Sequence, residues 1–257
     1  MKIRSVLVAL SLCSLLAMPA AASLPVPTTA MAAADANKVL AEIDRRAAVF
    51  EDQQYDATMS IFKGGELKKT LEFTMVMKGL DKQFITFTAP GDVAGMKVLM
   101  EGADSLHVYT PEFKKVRKVA AHMQGQGFMG SAFTYEDQTR IQLAPYFDAT
   151  LVGKEGNETK LILTPKKGSA ISFSKLEIFI DATVNGVTRI KYFDTAGTHV
   201  RTQTREEWKP FEDTKIPTQV RMKNLKTGDE TVINLSELDV KTPVADDLFS
   251  RRTLMRG

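Results

Sequence analysis

Residues 55–77 read YDATMSIFKGGELKKTLEFTMVM, a stretch in which period, more than composition, sets what the chain can become. Tyr55, Ala57, Met59 and Ile61 alternate with Asp56, Thr58, Ser60 and Phe62, the spacing of two that sends successive side chains to opposite faces of a strand. Gly64-Gly65 interrupts the pattern as a tight turn does. Beyond it Leu67, Leu71, Phe73, Met75 and Met77 fall on one side, and Lys68, Thr70, Glu72 and Thr74 on the other. The spacing predicts a long antiparallel hairpin.

The same period continues downstream. Strands are expected at 83–88, 96–101, 105–110 and 115–119, with Pro90-Gly91-Asp92, Gly102-Ala103-Asp104 and Pro111-Glu112 as turns. Residues 120–143 break the pattern: Gly125, Gly127 and Gly130 stand among Met123, Phe128, Met129 and Phe133, ahead of a short helix over 134–141. Strands then resume at 146–154, 159–165, 175–181, 187–193, 198–208, 215–224 and 230–240. Asn185-Gly186 and Thr227-Gly228-Asp229 are hairpin turns. Upstream, Val39, Leu40, Ile43, Ala47 and Phe50 recur at helical spacing after Asp35 or Asn37, either of which suits an N-cap. The expectation is a mainly β (α+β) chain, with one antiparallel sheet of eleven to thirteen strands and two helical interruptions. No repeat, low-complexity tract or linker marks a domain boundary.

The N-terminus predicts export. Lys2 and Arg4 precede an apolar run from Val6 to Met18, followed by small-x-small sites at Ala20-Ala21-Ala22 and Ala30-Met31-Ala32. The run is shorter than the roughly 20 apolar residues that span a bilayer, so residues 1–32 read as a cleaved signal peptide. The one cysteine, Cys13, lies inside that run behind Leu12, where a lipid-acceptor site would have a small residue. The remaining chain, 33–257, has no thiol, which excludes disulfides and thiolate chemistry. Loss of Lys2 and Arg4 takes the formal net charge from +3 to +1, a balance that gives no argument for nucleic acid or an anionic membrane surface as a partner, and no nucleic acid is expected.

A twisted sheet of more than about ten strands must curl, split or close. Met59, Met75, Met77, Met96, Met100, Met123, Met129 and Met222 populate its apolar positions. Methionine suits either an irregular core or an apolar pocket of variable content, and period alone does not separate the two. Chemistry has no constellation. His107, His122 and His199 are far apart and in no ligand spacing. No nucleophile elbow, phosphate loop or dinucleotide fingerprint occurs, and Glu136-Asp137 and Asp246-Asp247 are adjacent pairs of the kind that begin helices. No catalytic residue, metal site or cofactor is expected. A transmembrane barrel is disfavoured by charges such as Lys175, Glu177, Arg201, Arg205, Glu206 and Glu207 along the strands, and by one Trp and five Tyr, too few for aromatic girdles.

Three blocks carry a family resemblance: residues 87–99 (FTAPGDVAGMKVL); Val108-Tyr109-Thr110-Pro111 with 114–119 (KKVRKV); and 130–137 (GSAFTYED). Together with Pro243, Leu248-Phe249 and Leu254 near the end, they make the chain resemble the outer-membrane lipoprotein-sorting proteins, which are similar to the LolA and LolB carriers. One departure is Ala132, where that family usually has aspartate. The resemblance implies a half-open β-barrel of about 11 strands covered by helical lid segments, here 37–50 and 123–141, around an apolar cavity. It implies a monomeric periplasmic protein, without catalysis, that carries a lipid or lipoprotein acyl chain, touches membranes transiently and serves an inner-membrane transporter of the RND/MMPL type. A non-catalytic outer-membrane assembly factor and a small hydrolase with an unrecognised site are the rival readings. Candidate cavity-lining residues are Met59, Ile61, Phe73, Met75, Met77, Met100, Phe128, Met129 and Phe133. Gly130, Ser131, Phe133, Tyr135, Glu136 and Asp137 are expected to form a structural junction, with Ser131 capping its helix.

Overall fold

The computed structural model describes residues 29–102 and 104–256; residues 1–28 of the expected signal peptide (1–32) and Ala103 of the expected turn lie outside them. Thirteen strands form one antiparallel sheet. In chain order they are β1 (Asp52–Lys63), β2 (Glu66–Lys78), β3 (Lys82–Ala89), β4 (Lys97–Glu101), β5 (Leu106–Thr110), β6 (Lys115–Lys118), β7 (Phe147–Glu155), β8 (Glu158–Pro165), β9 (Lys175–Asp181), β10 (Gly186–Phe193), β11 (His199–Phe211), β12 (Thr214–Asn224) and β13 (Glu230–Asp239). The spatial order runs β6-β5-β4-β3-β2-β1-β13-β12-β11-β10-β9-β8-β7. Two meanders therefore meet at a β1–β13 seam, where Met59 faces Ile233 and Ala57 faces Leu235. The sheet does not close: β6 and β7 are its edges, and it is a curled half-open barrel.

Residues 119–146 connect one edge to the other. They contain two single 3-10 turns, Ala121–Met123 and Phe128–Gly130, and the short helix α2 (Tyr135–Thr139). Gly127 is required here, since a Cβ on it would lie 2.8 Å from the Ser131 carbonyl oxygen. Thr134, not Ser131, caps α2: its hydroxyl accepts from the Asp137 N–H while the Asp137 carboxylate accepts from the Thr134 N–H, a reciprocal capping box. Ser131 instead hydrogen-bonds within its own turn, to both the N–H and the carbonyl of Phe133.

The long helix α1 spans Thr29–Ala47, beginning and ending earlier than the periodicity at 37–50 predicts. Ala36 and Leu40 are fully buried against β7 and β10, whereas Val39 is exposed. Asn37 is no cap, since it lies inside the helix and its side-chain oxygen accepts from the Ala149 N–H of β7 at 2.8 Å.

The first meander is covered on both faces. Its concave side carries Phe73, Met75, Ile85, Phe87 and Val98, and its convex side a registered row of Val76, Phe84, Leu99 and His107. The C-terminal segment, ending in α3 (Arg251–Met255), seals that row with Val244, Phe249 and Leu254. His107 is 5% exposed, its Nδ1 has no partner, and it lies shallow, directly beneath this segment. Desolvation, helped by Arg251 and Lys118 and opposed by Glu101, holds its pKa below the usual 6.5. The folded state thus resists a proton that the unfolded chain accepts, so this contribution is complete above 6.5 and is lost as pH falls toward the folded value. Thermal melts from about pH 8 to about pH 5 should show a loss of stability that His107→Leu reduces; an unchanged pH slope would clear His107 of the effect.

Candidate functional site

Between the concave face, α1 and the crossover lies a cavity of about 360 Å³, within the range of about 300–1,000 Å³ of small-molecule sites. Its sheet wall is built across the seam by Met59, Phe73, Met75, Met77, Ile85, Val220 and Ile233. Ile190 and Leu176 continue it on the second meander, Phe128 and Phe133 close it from the crossover, and Ile43 from α1. The strand period explains the lining, because every second residue of β1 and β2 faces inward. At one end Phe50, Trp208 and Ile216 line it beside exposed Val49. The long β11–β12 hairpin leans toward α1 there, with Phe50 edge-on to Phe211 at 5.7 Å. Gly186 permits this packing, since a Cβ on it would meet the Trp208 ring at 2.6 Å.

Six of the nine candidate lining residues border this cavity: Met59, Phe73, Met75, Met77, Phe128 and Phe133. Ile61, Met100 and Met129 do not. Ile61 is buried in the main cluster, opposite Thr231 across the seam. Met100 is 2% exposed and wedged between its strand partners Gln83 and Leu106. Met129 is half-buried in the crossover, at φ 52. Of the junction residues, Phe133, Glu136 and Asp137 line the cavity, whereas Gly130, Ser131 and Tyr135 do not border it. Tyr135 packs edge-on against Phe128, with ring centroids 5.4 Å apart.

A buried polar network holds the crossover against the second meander. Arg201 of β11 grips Asp137 through both carboxylate oxygens, at 2.6 and 3.0 Å, and also donates to the Ala132 carbonyl at 3.1 Å. Its guanidinium lies over Tyr192 and Phe173. Burial alone would lower the Arg201 pKa, but the Asp137 carboxylate outweighs it and raises the value. Thr231 accepts from the Ala132 N–H at 2.9 Å, and the Glu136 carboxylate accepts from both the N–H and the hydroxyl of Ser172. At the far end of the crossover, Asp44 of α1 accepts from the N–H groups of Leu143 and Ala144 at 2.9 and 2.7 Å. Its pKa is raised, because burial outweighs those two backbone bonds.

Gln203 and Arg205 line the cavity and Arg201 clamps the crossover beside it; sequence reasoning named the two arginines only among strand charges and did not single out Gln203. All three lie on one face of β11, Gln203 and Arg205 against the cavity and Arg201 against Asp137, and their spacing of two was the available signal. The face itself was hidden, because β11 is polar on both sides. Among the described residues no cluster of three or more His, Cys, Asp or Glu is arranged to hold a metal ion, and no helix is long and apolar enough to cross a membrane.

Comparison with known proteins follows the same lines. A family model whose description reads "Uncharacterized protein" matches residues 79–256, well over half of the chain. The fold is shared with a DUF1329 family protein from Desulfovibrio piger, at 25% identity and a TM-score of 0.80 over 87% of this chain and 99% of that one. It is shared also with a putative outer membrane lipoprotein-sorting protein domain from Vibrio parahaemolyticus, at 22% identity and 0.79 over 87% and 100%. A LolA superfamily protein from Nitrosomonas europaea aligns at 16% identity and 0.71 over 85% and 98%. The chain belongs to the matched family, and its fold is the one seen in the putative lipoprotein-sorting domain and the LolA superfamily protein. No curated protein matches it.

The network makes graded predictions. Asp137→Ala leaves the Arg201 charge buried, both side chains being under a tenth exposed, and should cost about 3–5 kcal/mol. Phe133→Ala should cost about as much, through the cavity it leaves. Thr134→Ala should cost about 1 kcal/mol as a lost cap, and Ser131→Ala less. Chemical denaturation of the four variants checks the order; equal losses at Thr134 and Asp137 would contradict the clamp.

Proposed function

We propose that the protein is a periplasmic carrier that holds a lipid or lipoprotein acyl chain in the apolar cavity and passes it between envelope membranes. The observation that carries this reading is a cavity walled by flexible and aromatic apolar side chains, beneath a crossover that is clamped at a few polar points. Its setting, a half-open barrel shared with a putative lipoprotein-sorting domain and a LolA superfamily protein, supports it. On this reading residues 1–32 direct export and 33–257 form the one carrier domain, which acts as a monomer and without a chemical step. An inner-membrane transporter of the RND/MMPL type is the proposed donor, reached through transient membrane contact.

Burial supplies the affinity. Each methylene moved out of water contributes about 0.8 kcal/mol, so a long acyl chain needs few polar contacts. Release requires the cover to part from the sheet, and the Asp44 bonds to Leu143 and Ala144 tie the two covering elements together. An apolar fluorescent probe should bind the purified protein saturably, at about one per molecule, and be displaced by fatty acyl ligands; a folded protein that takes up no such probe is not a carrier. Asp44→Cys with Ala144→Cys, in a chain whose own cysteine lies in the leader, should trap bound lipid when oxidised and release it to acceptor vesicles when reduced. Equal exchange in both states would show that α1 and the crossover are not the gate.

A further inference from the structure

Among the described residues, Arg205 borders the cavity with no side-chain hydrogen bond or ion pair to a protein group. Arg205 lies on β11 four residues beyond Arg201 and on the same face. Its row across the sheet is otherwise apolar: Arg205 faces Val220, Val220 faces Ile233, Ile233 faces Met59, and Met59 faces Leu71. The other cavity-lining cations are engaged. Arg46 donates to Glu42 at 2.7 Å, Lys215 donates to the Thr183 carbonyl at 3.0 Å, and Arg140 lies over the Tyr146 ring. Among the described residues the Arg205 guanidinium has no hydrogen bond or ion pair; Asp44 and Tyr192 act on it at longer range, and both Asp44 oxygens already serve backbone N–H groups.

An unpaired charge set among apolar side chains is costly unless something completes it. Arg205 retains accessible surface because it borders the void, although it lies deep in the protein, and burial lowers its pKa. A guanidinium stays charged even so, and its fork matches a carboxylate or phosphate. Such a pair is far stronger in a poorly hydrated cavity than in water. We infer that Arg205 is the anion-recognition point of the cavity, so that the cargo is an amphiphile with an acyl chain along Met59, Phe73 and Phe128 and a carboxylate or phosphate seated on the guanidinium. This rests on the carrier reading and adds to it the chemical class of the head.

Competition against an apolar fluorescent probe tests it with palmitate, dodecyl phosphate, the neutral ester methyl palmitate, and inorganic phosphate at matched ionic strength. The wild-type protein should bind palmitate at least about tenfold more tightly than methyl palmitate. Arg205→Met should bring that ratio to within about twofold, and Arg205→Lys should retain part of it, since an ammonium keeps the charge without the fork. Inorganic phosphate should not displace palmitate. Equal binding of palmitate and methyl palmitate by the wild type, or an undiminished ratio in Arg205→Met, would overturn the assignment while leaving the carrier intact. Displacement by inorganic phosphate would make Arg205 a free-anion site and overturn the amphiphile. Failure of every apolar ligand to bind would end both readings. Should Arg205→Met not fold, the wild-type ratio and Arg205→Lys decide.

Discussion

The pairing of β1 with β13 is the constraint from which the rest of the structure follows. β1 is hydrogen-bonded on one side to β2 and on the other to the last strand of the chain, so the two meanders grow away from each other and their free ends stand at opposite edges. A chain that leaves β6 and must begin again at β7 has to travel across the sheet. Inward curling makes the concave side the route on which the connection buries apolar surface, and Phe128 and Phe133 do so. A covered cavity is thus a consequence of strand order before any residue is chosen for binding.

The cover is attached differently from the way the sheet is built. Strands are held by many backbone bonds in parallel, whereas residues 119–146 are tied down by side-chain anchors that include Arg201 on Asp137, Thr231 on Ala132, Ser172 on Glu136, Gln83 on Gln138, and Asp44 on Leu143 and Ala144. Each of these anchors is buried or half-buried, so its loss is expensive. Arg201 and Arg205, on one strand and one face, show the two fates of an inward charge: the first is consumed by the fold, and the second is left to the void.

The second core has a different purpose. On the convex side the C-terminal segment packs Val244, Phe249 and Leu254 over Phe84 and Leu99, so the first meander is buried on both faces and is stiff. The second meander carries α1 against β7 and β10, and its β11–β12 hairpin extends beside the open end of the cavity. Rigidity and access are thereby divided between the two halves of one sheet.

Much of this was legible without coordinates. The period of two through residues 55–77 and its recurrence located the thirteen strands to within a few residues, because alternation follows from strand geometry alone. The same alternation marked Met59, Phe73, Met75 and Met77 as inward. Three things were not legible. The α1 boundaries shifted because the helix is settled by packing of Ala36 and Leu40 on β7 and β10, and by Asn37 reaching Ala149, contacts more than a hundred residues apart in the chain. The cap of α2 passed from Ser131 to Thr134 because a capping box depends on where the first turn begins. Arg201 and Arg205 were read only as strand charges that disfavour a transmembrane barrel, since β11 is polar on both faces and period says only that two sets exist, never which set turns inward. That choice belongs to the curl of the sheet and to the carboxylate of Asp137 arriving from the crossover: local alternation is a property of the backbone, but the side on which water is excluded is a property of the whole fold.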